Sequence, residues 1–339
     1  MRNCKPGRVA ASIGLMLAAF ALWPGEAAAE KIKVCMLKVA GAAPLFIAAE
    51  KGYFKAEGLE TEFIYLDAGQ ATAMAVVAGS CDVGVAALGA GIYALAAQGG
   101  LKIIAAQARE VPGFPNGTYM ISNRAYAAGL KSLKDLPGHS VAMTIVGGPF
   151  HYSLGLLAEK YGFELASLKL MPMQSIANNI SAVVGGSADV AIAPLAMVQD
   201  VVARGDVKVL GYIGDETPWQ LSTVFIATKS ADERRDMVER FLRAYRRGVH
   251  DSYDAFTEAE GKRKNMATAP EILAILSKYL GHPADTLTNA VQYIDREARL
   301  DEKDIAHQIA WFRAQNLLKV DVGVGQVVDK RYAVALPEK

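Results

Sequence analysis

The stretch AVVAGSCDVGVAAL at Ala75–Leu88 is repeated as SAVVGGSADVAIAPL at Ser181–Leu195. When Ala75 is aligned with Ala182, nine of fourteen positions are identical. An internal duplication of this kind predicts two similar folded halves. Two halves that face each other enclose a cleft, and a cleft between domains is a preferred place for a small ligand.

The repeat extends well beyond this stretch. Val34–Phe54 aligns with Val141–Phe163 at an offset of 107 residues, and Leu101–Pro112 aligns with Val207–Pro218 at an offset of 106. Within each half, β-branched apolar runs alternate with runs of helical periodicity, which is typical of a parallel sheet covered by helices on both faces. We therefore predict an α/β fold made of two similar βαβαβ lobes.

The pattern changes beyond about residue 230. Charged and apolar residues interleave there at helical spacing, and no strand alternates with them. Helices are predicted at 232–257, 270–280, 283–296 and 302–316. We expect them to form a C-terminal helical extension on the first lobe. The predicted division is 30–123 plus 221–339 for lobe 1 and 124–220 for lobe 2.

Residues 1–29 have the three parts of a secretory signal peptide. Met1–Arg8 is short and basic, Val9–Trp23 is apolar, and small residues lead to an expected cleavage site after Ala29. The apolar run is shorter than the roughly 20 residues that a membrane-spanning helix needs. We therefore expect the mature chain to be exported and soluble.

Composition and charge exclude several classes of protein. Hydrophobic residues make up 52% of the 339-residue chain and the net charge is +1, which suits globular domains and provides no basic surface for nucleic acid. After the signal peptide, the cysteines are Cys35 and Cys81, each in an apolar strand-like run. We expect two buried thiols, because disulfides mostly stabilise smaller scaffolds. A disulfide is the alternative in an oxidising compartment.

Catalytic and cofactor motifs are missing from the sequence. It has no HExxH or CxxC motif, no phosphate-binding loop and no GxGxxG after a strand, and its histidines lack metal-ligand spacing. Asp82 and Asp189 both lie in a Gly-Ser-x-Asp-Val turn before a buried strand, where we expect hydrogen bonds from backbone to side chain. We therefore predict a non-enzymatic protein without a metal or cofactor.

The loops after the duplicated strands are the candidate ligand site, because they lie at the carboxyl edge of each predicted sheet. Gly41 and Pro44 in the first half, and Gly148 in the second, belong to turns that lead into helices. Amide groups at a helix start attract anions or carbonyl groups, although such glycines can also serve only to form a tight turn. Gln70 and Gln174 occupy corresponding places in the next loops and can each donate and accept, with helix capping as the alternative.

Positions where the two halves differ are further candidates for ligand contact. Five such pairs lie at or just after strand ends: Lys38 with Ile145, Pro44 with His151, Leu45 with Tyr152, Arg109 with Asp215, and Gly113 with Trp219. Lys38 or Arg109 would suit a sulfonate, carboxylate or nitrate through charge-assisted hydrogen bonds. Phe150, Tyr152 and Trp219 could contact a flat or aliphatic part of the ligand. The alternatives are cations that are solvated or paired within the protein, and packing of Trp219 between the halves.

Several longer motifs lie in one order along the chain: AAEKGYFKAEGLETEF at 48–63, the repeated stretch at 75–88, ADVAIAP at 188–194 and IAWFRAQNLLK at 309–319. With these motifs the chain resembles the periplasmic substrate-binding proteins of ABC importers, of the nitrate, sulfonate and taurine type. These share their fold with thiamine-precursor-binding proteins. The resemblance implies a type II periplasmic binding fold whose lobes close on a solute by hinge motion, with linkers near 120–126 and 217–223.

The resemblance also implies where and with what the protein works. The solute-holding loops of the family add Leu88 and Gly89 to the predicted contacts, and Pro194 is included at the equivalent strand end. The implied partners are a small-molecule solute and a membrane permease with its ATPase, and we expect a periplasmic monomer. The predicted function is capture of a small anionic organic solute of the sulfonate, taurine, nitrate or carboxylate class. The alternatives are a planar heterocycle or aromatic acid as solute, or an enzyme on the same fold.

Overall fold

The structure is a computed structural model that describes residues 1–3, 29–258, 261–264, 269–287 and 292–337. Most of the predicted signal peptide, residues 4–28, lies outside the described residues. Within the described ranges, no helix has the length and apolar character needed to cross a membrane.

Lobe 1 is built on a five-stranded sheet. Its strands are β1 (Glu30–Met36), β2 (Leu59–Tyr65), β3 (Val83–Ala87), β4 (Leu101–Ala106) and β12 (Ser222–Ala227). They are arranged in the order β2-β1-β3-β12-β4, with β12 antiparallel to both of its neighbours. In β1, Ile32 and Val34 are buried while Lys31 and Lys33 are exposed, which is the two-residue period of a strand.

Lobe 2 repeats this arrangement. Its strands are β6 (Gly117–Ser122), β7 (Ser140–Met143), β8 (Lys169–Pro172), β9 (Val190–Pro194) and β10 (Val207–Tyr212). Their order is β10-β6-β9-β7-β8. Read from the other end, β8-β7-β9-β6-β10, it matches the lobe 1 order β2-β1-β3-β12-β4, with β6 in the place of β12. The prediction of an α/β fold with two similar lobes is confirmed.

Two short strands, β5 (Arg109–Glu110) and β11 (Trp219–Gln220), pair with each other where the chain passes between the lobes. We call them the crossover pair. The first passage lies between β4 and β6, so β6 belongs to the second sheet, whereas the predicted boundary after residue 123 leaves this strand in lobe 1. A buried apolar strand fits either sheet equally well, so its sequence does not reveal which sheet it joins.

The helices of the two lobes cover the sheets. Lobe 1 has α1 (Ala43–Glu50), α2 (Tyr53–Ala56), α3 (Gly69–Val77) and α4 (Ala90–Ala97). Lobe 2 has α5 (Asn123–Ala127), α6 (Pro149–Tyr161), α7 (Ile176–Val184), α8 (Gln199–Ala203) and α9 (Ile213–Glu216). Short 3-10 turns lie at Ala40–Ala42, Leu133–Asp135, Leu165–Ser167 and Leu195–Met197.

The C-terminal extension is helical, as predicted, but with different bounds. Its helices are α10 (Thr228–Glu233), α11 (Arg235–Phe256), α12 (Pro270–Leu280), α13 (Ala284–Leu287), α14 (Glu302–Ala314) and α15 (Val324–Val327). The helix predicted at 283–296 is wrong in its second part, because residues 292–296 are not helical. Instead, Tyr293 forms an isolated antiparallel bridge with Arg109 of β5, and the Arg109 N–H donates to the Tyr293 carbonyl.

Most of the extension packs on lobe 1, and one helix also reaches lobe 2. The helix α11 lies against α1, where Gly248 allows the close approach because a Cβ would overlap the Pro44 carbonyl oxygen. The helix α14 contacts α4 of lobe 1, α6 of lobe 2 and β11. The extension therefore also covers the crossover pair.

Cys35 and Cys81 form a disulfide with a Cα–Cα distance of 5.9 Å, so the expectation of two free thiols is wrong. Cys35 lies in β1 next to β3, and Cys81 lies just before β3. The pairing of the two strands brings together residues that are 46 positions apart. The alternation of apolar residues shows that each cysteine is buried but does not show that they are neighbours.

Asp82 and Asp189 hold equivalent turns, as expected from the sequence. Asp82 accepts a hydrogen bond from the Lys33 N–H at 2.7 Å, and Asp189 accepts one from the Ser140 N–H at 3.0 Å. Each carboxylate thereby ties the turn before a buried strand to the parallel strand beside it, which is β1 in lobe 1 and β7 in lobe 2.

Candidate functional site

The two lobes touch where the loop after β3 meets the loop after β7. The Ala90 N–H, in the first turn of α4, donates to the Gly147 carbonyl at 2.9 Å. A Cβ on Gly89 would lie 2.9 Å from that oxygen, and Gly147 itself has a left-handed φ of 79°. The lobe 2 carbonyl therefore caps a lobe 1 helix, and glycine at position 89 makes the approach possible.

The start of α6 forms the lobe 2 wall of the cleft. Gly148 is the N-cap and provides no side-chain cap, so the first amide groups of α6 have no side-chain acceptor at that position. The Gly147 N–H donates to Nδ1 of His151, which leaves the ring proton on Nε2. Burial lowers the pKa of His151 to about 4. His151 is therefore a neutral hydrogen-bond donor near neutral pH and not a cation.

On the lobe 1 side, Gln70 and Lys38 remain open. Gln70 lies in the first turn of α3. Its side chain packs against Gly91, because a Cβ on Gly91 would overlap the Gln70 side-chain oxygen. Its carboxamide makes no hydrogen bond to the described residues. Lys38 is exposed, and its Nζ lies 5.6 Å from the centre of the Tyr65 ring. It has no carboxylate partner in the part of the chain that the structure describes.

Three of the predicted contacts are covered by α14. Arg109 forms an ion pair with Asp301 at 2.6 Å, and Tyr152 is fully buried with its hydroxyl donating to Asp304 at 2.9 Å. Trp219 is also fully buried, with its ring 5.1 Å from that of Tyr152. These three side chains therefore have contacts within the protein, and their contact with a ligand stays a prediction. The partners of Arg109 and Tyr152 lie in the C-terminal extension, which has no counterpart in the repeat.

The same contacts fix α14 to the crossover pair. Asp304 accepts a hydrogen bond from the Gln220 N–H at 2.8 Å, and burial raises its pKa. His307 lies 2.7 Å from the Tyr152 hydroxyl, through Nδ1, and 3.5 Å from Glu159 of α6, through Nε2. The contacts of Asp304 and His307 with Tyr152 and Glu159 therefore join α14 to α6, the helix that begins at the cleft.

A set of neutral polar side chains beside the crossover pair was not expected from the sequence. Gln107 donates to the Gly41 carbonyl, and Gln292 donates to the Asn116 side chain at 2.7 Å. A Cβ on Gly41 would overlap the Gln292 side-chain oxygen, so Gln292 covers this loop. The amide residues lie singly in apolar or loop segments, and no spacing in the sequence marks them as neighbours.

Glu110 completes this polar set. It is 1% exposed and accepts hydrogen bonds from the Asn116 side chain and the Gly117 N–H. Burial raises its pKa to about 7, although these hydrogen bonds act in the opposite direction. The carboxyl group at the passage between the lobes is therefore partly protonated at neutral pH.

The remaining predicted contacts divide into exposed and buried residues. Gln174 is exposed and has a left-handed φ of 67°, which is uncommon for a residue other than glycine. Pro194 is half-buried, and Phe150 is only 8% exposed. Pro44 and Leu88 are buried, and the Leu88 N–H donates to the Leu221 carbonyl. Among the predicted contacts, Lys38 and Gln174 are thus exposed and Gln70 and Pro194 are half-buried, whereas the turns at Gly89 and Gly148–His151 are largely buried.

No group of three metal-ligating side chains occurs among the described residues. A cavity of about 440 Å³ lies in lobe 2 beside α8 and β10. It does not involve any of the predicted ligand contacts. The candidate solute site is therefore defined by the facing loops and not by this cavity.

Comparisons with known proteins agree with this architecture. A family model described as "NMT1/THI5 like" matches residues 40–259, which is more than half of the chain. The comparison with curated proteins gives no match.

Among solved structures, the fold is similar to that of the periplasmic aliphatic sulphonate binding protein SsuA from Escherichia coli. The two are 18% identical, with a TM-score of 0.68 over 89% of this chain and 98% of the other. The alkanesulfonate-binding protein SsuA from Xanthomonas axonopodis pv. citri, bound to MOPS, is 17% identical, with a TM-score of 0.68 over 89% and 99%. The desulfurization enzyme DSZB is 13% identical, with a TM-score of 0.59 over 89% and 97%.

The family match covers strands and helices of both lobes, and the solved structures share the two-lobed arrangement. These findings confirm the resemblance drawn from the sequence motifs. The chain belongs to the NMT1/THI5-like family and has the fold of the periplasmic binding proteins.

Proposed function

We propose that this protein is the extracytoplasmic solute-binding component of an ABC importer and that it captures a small anionic organic solute between its lobes. The observation that carries the proposal is the start of α6, where Gly148 provides no side-chain cap and the ring proton of His151 lies on Nε2. The start of α6 lies next to the hydrogen bond from Ala90 to Gly147. Closure of the lobes at this point would enclose a solute.

The charges around the cleft favour a solute with a single acidic group. Arg109 is neutralised by Asp301, and His151 is neutral because burial lowers its pKa to about 4. Lys38 is then the remaining fixed positive charge among the predicted contacts. Main-chain amides and neutral donors bind a sulfonate without a second cation. An alkanesulfonate, the ligand class of the two SsuA proteins, is therefore the leading candidate.

The wider role follows from the same proposal. The protein would work in the periplasm as a monomer, without a cofactor, and would deliver its solute to a membrane permease driven by an ATPase. Hinge motion would occur at the crossover pair, where both passages between the lobes lie. We propose no chemical step for the bound solute.

A planar heterocycle is the second candidate, and the polar set of Gln107, Gln292, Asn116 and Glu110 favours it. Carboxamides offer adjacent donors and acceptors, which match the edge of a pyrimidine-like ring. Gln292 would have to move away from Gly41 to admit such a ring, because it now covers that loop.

Thermal-shift measurements with ethanesulfonate, MOPS, taurine, nitrate and a neutral pyrimidine test the proposal. A ligand at 100 times its dissociation constant should stabilise the protein by about 2.7 kcal/mol. We expect sulfonates to raise the melting temperature. Stabilisation by the pyrimidine alone would refute the anionic solute and favour the heterocycle, and turnover of a bound compound would refute the binding role.

Calorimetric titration of the best sulfonate then tests the site. Gln70→Leu should weaken binding at least tenfold, because a hydrogen bond to a charged group contributes about 1.5–3 kcal/mol. The matched control is Gln98→Leu, at the exposed end of α4, which should leave the affinity unchanged. Equal affinities for both variants would remove Gln70 from the proposed site.

A further inference from the structure

We propose that the groove between α8 and β10 of lobe 2 binds an extended apolar segment of a partner protein, which adds to the free edge of β10. This proposal goes beyond solute binding. It rests on a comparison of the two lobes, because the equivalent groove of lobe 1 is already filled by a segment of this chain.

In lobe 1 the groove lies between α4 and β4, and α15 contacts both elements. Val327 and Val328 are buried there, at 0% and 2% exposure. Val328 forms a parallel bridge with Ile103, and the Asp329 N–H donates to the Ile103 carbonyl at 2.9 Å. The segment that contains Val327–Asp329 thus fills an apolar groove and also pairs with an edge strand.

In lobe 2 the equivalent elements, α8 and β10, border an open cavity. The cavity of about 440 Å³ is lined by Pro115, Leu195, Gln199, Val202, Ala203 and Tyr212. The Nε2 atom of Gln199 is buried and has no hydrogen-bond partner among the described residues. An unpaired buried amide costs free energy, which a ligand that supplies an acceptor would recover.

The edge strands of the two lobes match in detail. The strand β4 has a register shift between its pairs at Ile103 and Ala105, and β10 has one between Val209 and Gly211. At an offset of 106 residues these irregularities are equivalent, so Val209 corresponds to Ile103. The edge of β10 is therefore shaped like the edge that already accepts a strand in lobe 1.

A lysine at equivalent positions of the two edge strands indicates what the partner supplies. Lys102 donates through Nζ to the Gln326 carbonyl of the bound segment. Lys208 is its counterpart in lobe 2 and is exposed, with its Nζ 5.2 Å from the Tyr126 ring centre. A fitting partner is a short extended peptide with adjacent β-branched residues and with carbonyl groups for Lys208 and Gln199. Main-chain pairing with an exposed sheet edge is a common mode of peptide recognition.

The probe is a fluorescein-labelled peptide with the sequence of Gly323–Lys330, GVGQVVDK, titrated with the full chain and followed by fluorescence anisotropy. Ala203→Arg places a long charged side chain in the groove at an exposed position at the end of α8. It should weaken peptide binding at least tenfold. Ala177→Arg, on the exposed surface of α7, is the matched control and should bind the peptide as the unmodified chain does.

Hydrogen exchange should in addition show slower exchange of β10 amides when the peptide is present. The proposal is overturned if the peptide does not bind the unmodified chain. It is also overturned if Ala203→Arg binds as tightly as Ala177→Arg, which is the result expected when the peptide only replaces α15 in lobe 1. Sulfonate binding should be the same in all three proteins, so a failure here is distinguishable from a failure of the proposed solute function.

Discussion

Gly89→Ala should oppose contact between the lobes without unfolding either of them. Gly89 has an extended backbone, with φ −170° and ψ 169°, which alanine also adopts. The new Cβ would lie 2.9 Å from the Gly147 oxygen and 3.6 Å from the Gly148 Cα. Both atoms belong to the backbone of the other lobe, so the clash is relieved only by separating the lobes.

The magnitude follows from two contributions. Loss of the hydrogen bond from Ala90 to Gly147 costs about 1 kcal/mol. Overpacking by one methyl group costs about 1–3 kcal/mol. The closed arrangement should therefore be destabilised by about 2–4 kcal/mol. If the solute binds only between closed lobes, its affinity falls by a factor of about 30 or more.

The assay is calorimetric titration of a stabilising sulfonate, together with small-angle X-ray scattering of the free and bound protein. Gly325→Ala makes the same chemical change at a position where a Cβ would contact nothing within 4 Å, and it should bind normally. Unchanged affinity and an unchanged radius of gyration for Gly89→Ala would refute the reasoning, because the contact of Ala90 with Gly147 would then not belong to the bound state.

Three further predictions concern stability and charge. Replacing Cys35 and Cys81 by alanine should lower the free energy of unfolding by about 4 kcal/mol, because the disulfide closes a loop between residues 46 positions apart and so restricts the unfolded chain. Coincident urea unfolding curves for the variant and the unmodified chain would contradict this. Burial raises the pKa of Glu110 to about 7, so the folded state binds one more proton than the unfolded state between pH 4.5 and 7. The free energy of unfolding should therefore fall by about 3 kcal/mol as the pH rises through this range. Urea unfolding at several pH values should show this slope in the unmodified chain but not in Glu110→Gln. Lys38→Met should weaken sulfonate binding about tenfold in calorimetry, whereas Lys31→Met, at an exposed position on β1, should not; equal affinities would exclude Lys38 from the site.

Part of the candidate site could be predicted from sequence because it is built on local features. The turns at Gly89 and Gly148 lie at strand ends that the repeat marks twice, and the structure has them in the facing loops. The amide residues Gln107, Asn116 and Gln292 were missed, since they come together only through the crossover pair and the C-terminal extension. Their side chains are ordinary in their own segments, and no periodicity distinguishes them.

The sequence by itself determined the two lobes, the order of their elements and the turns at their facing edge, because periodicity and turn chemistry depend on neighbours along the chain. Only the tertiary structure decided that β6 belongs to lobe 2, that Cys35 meets Cys81, and that Arg109, Tyr152 and Trp219 are covered by α14. These outcomes depend on pairing between residues 46 to 192 positions apart. Such pairing is set by packing and strand register, which a single sequence does not display.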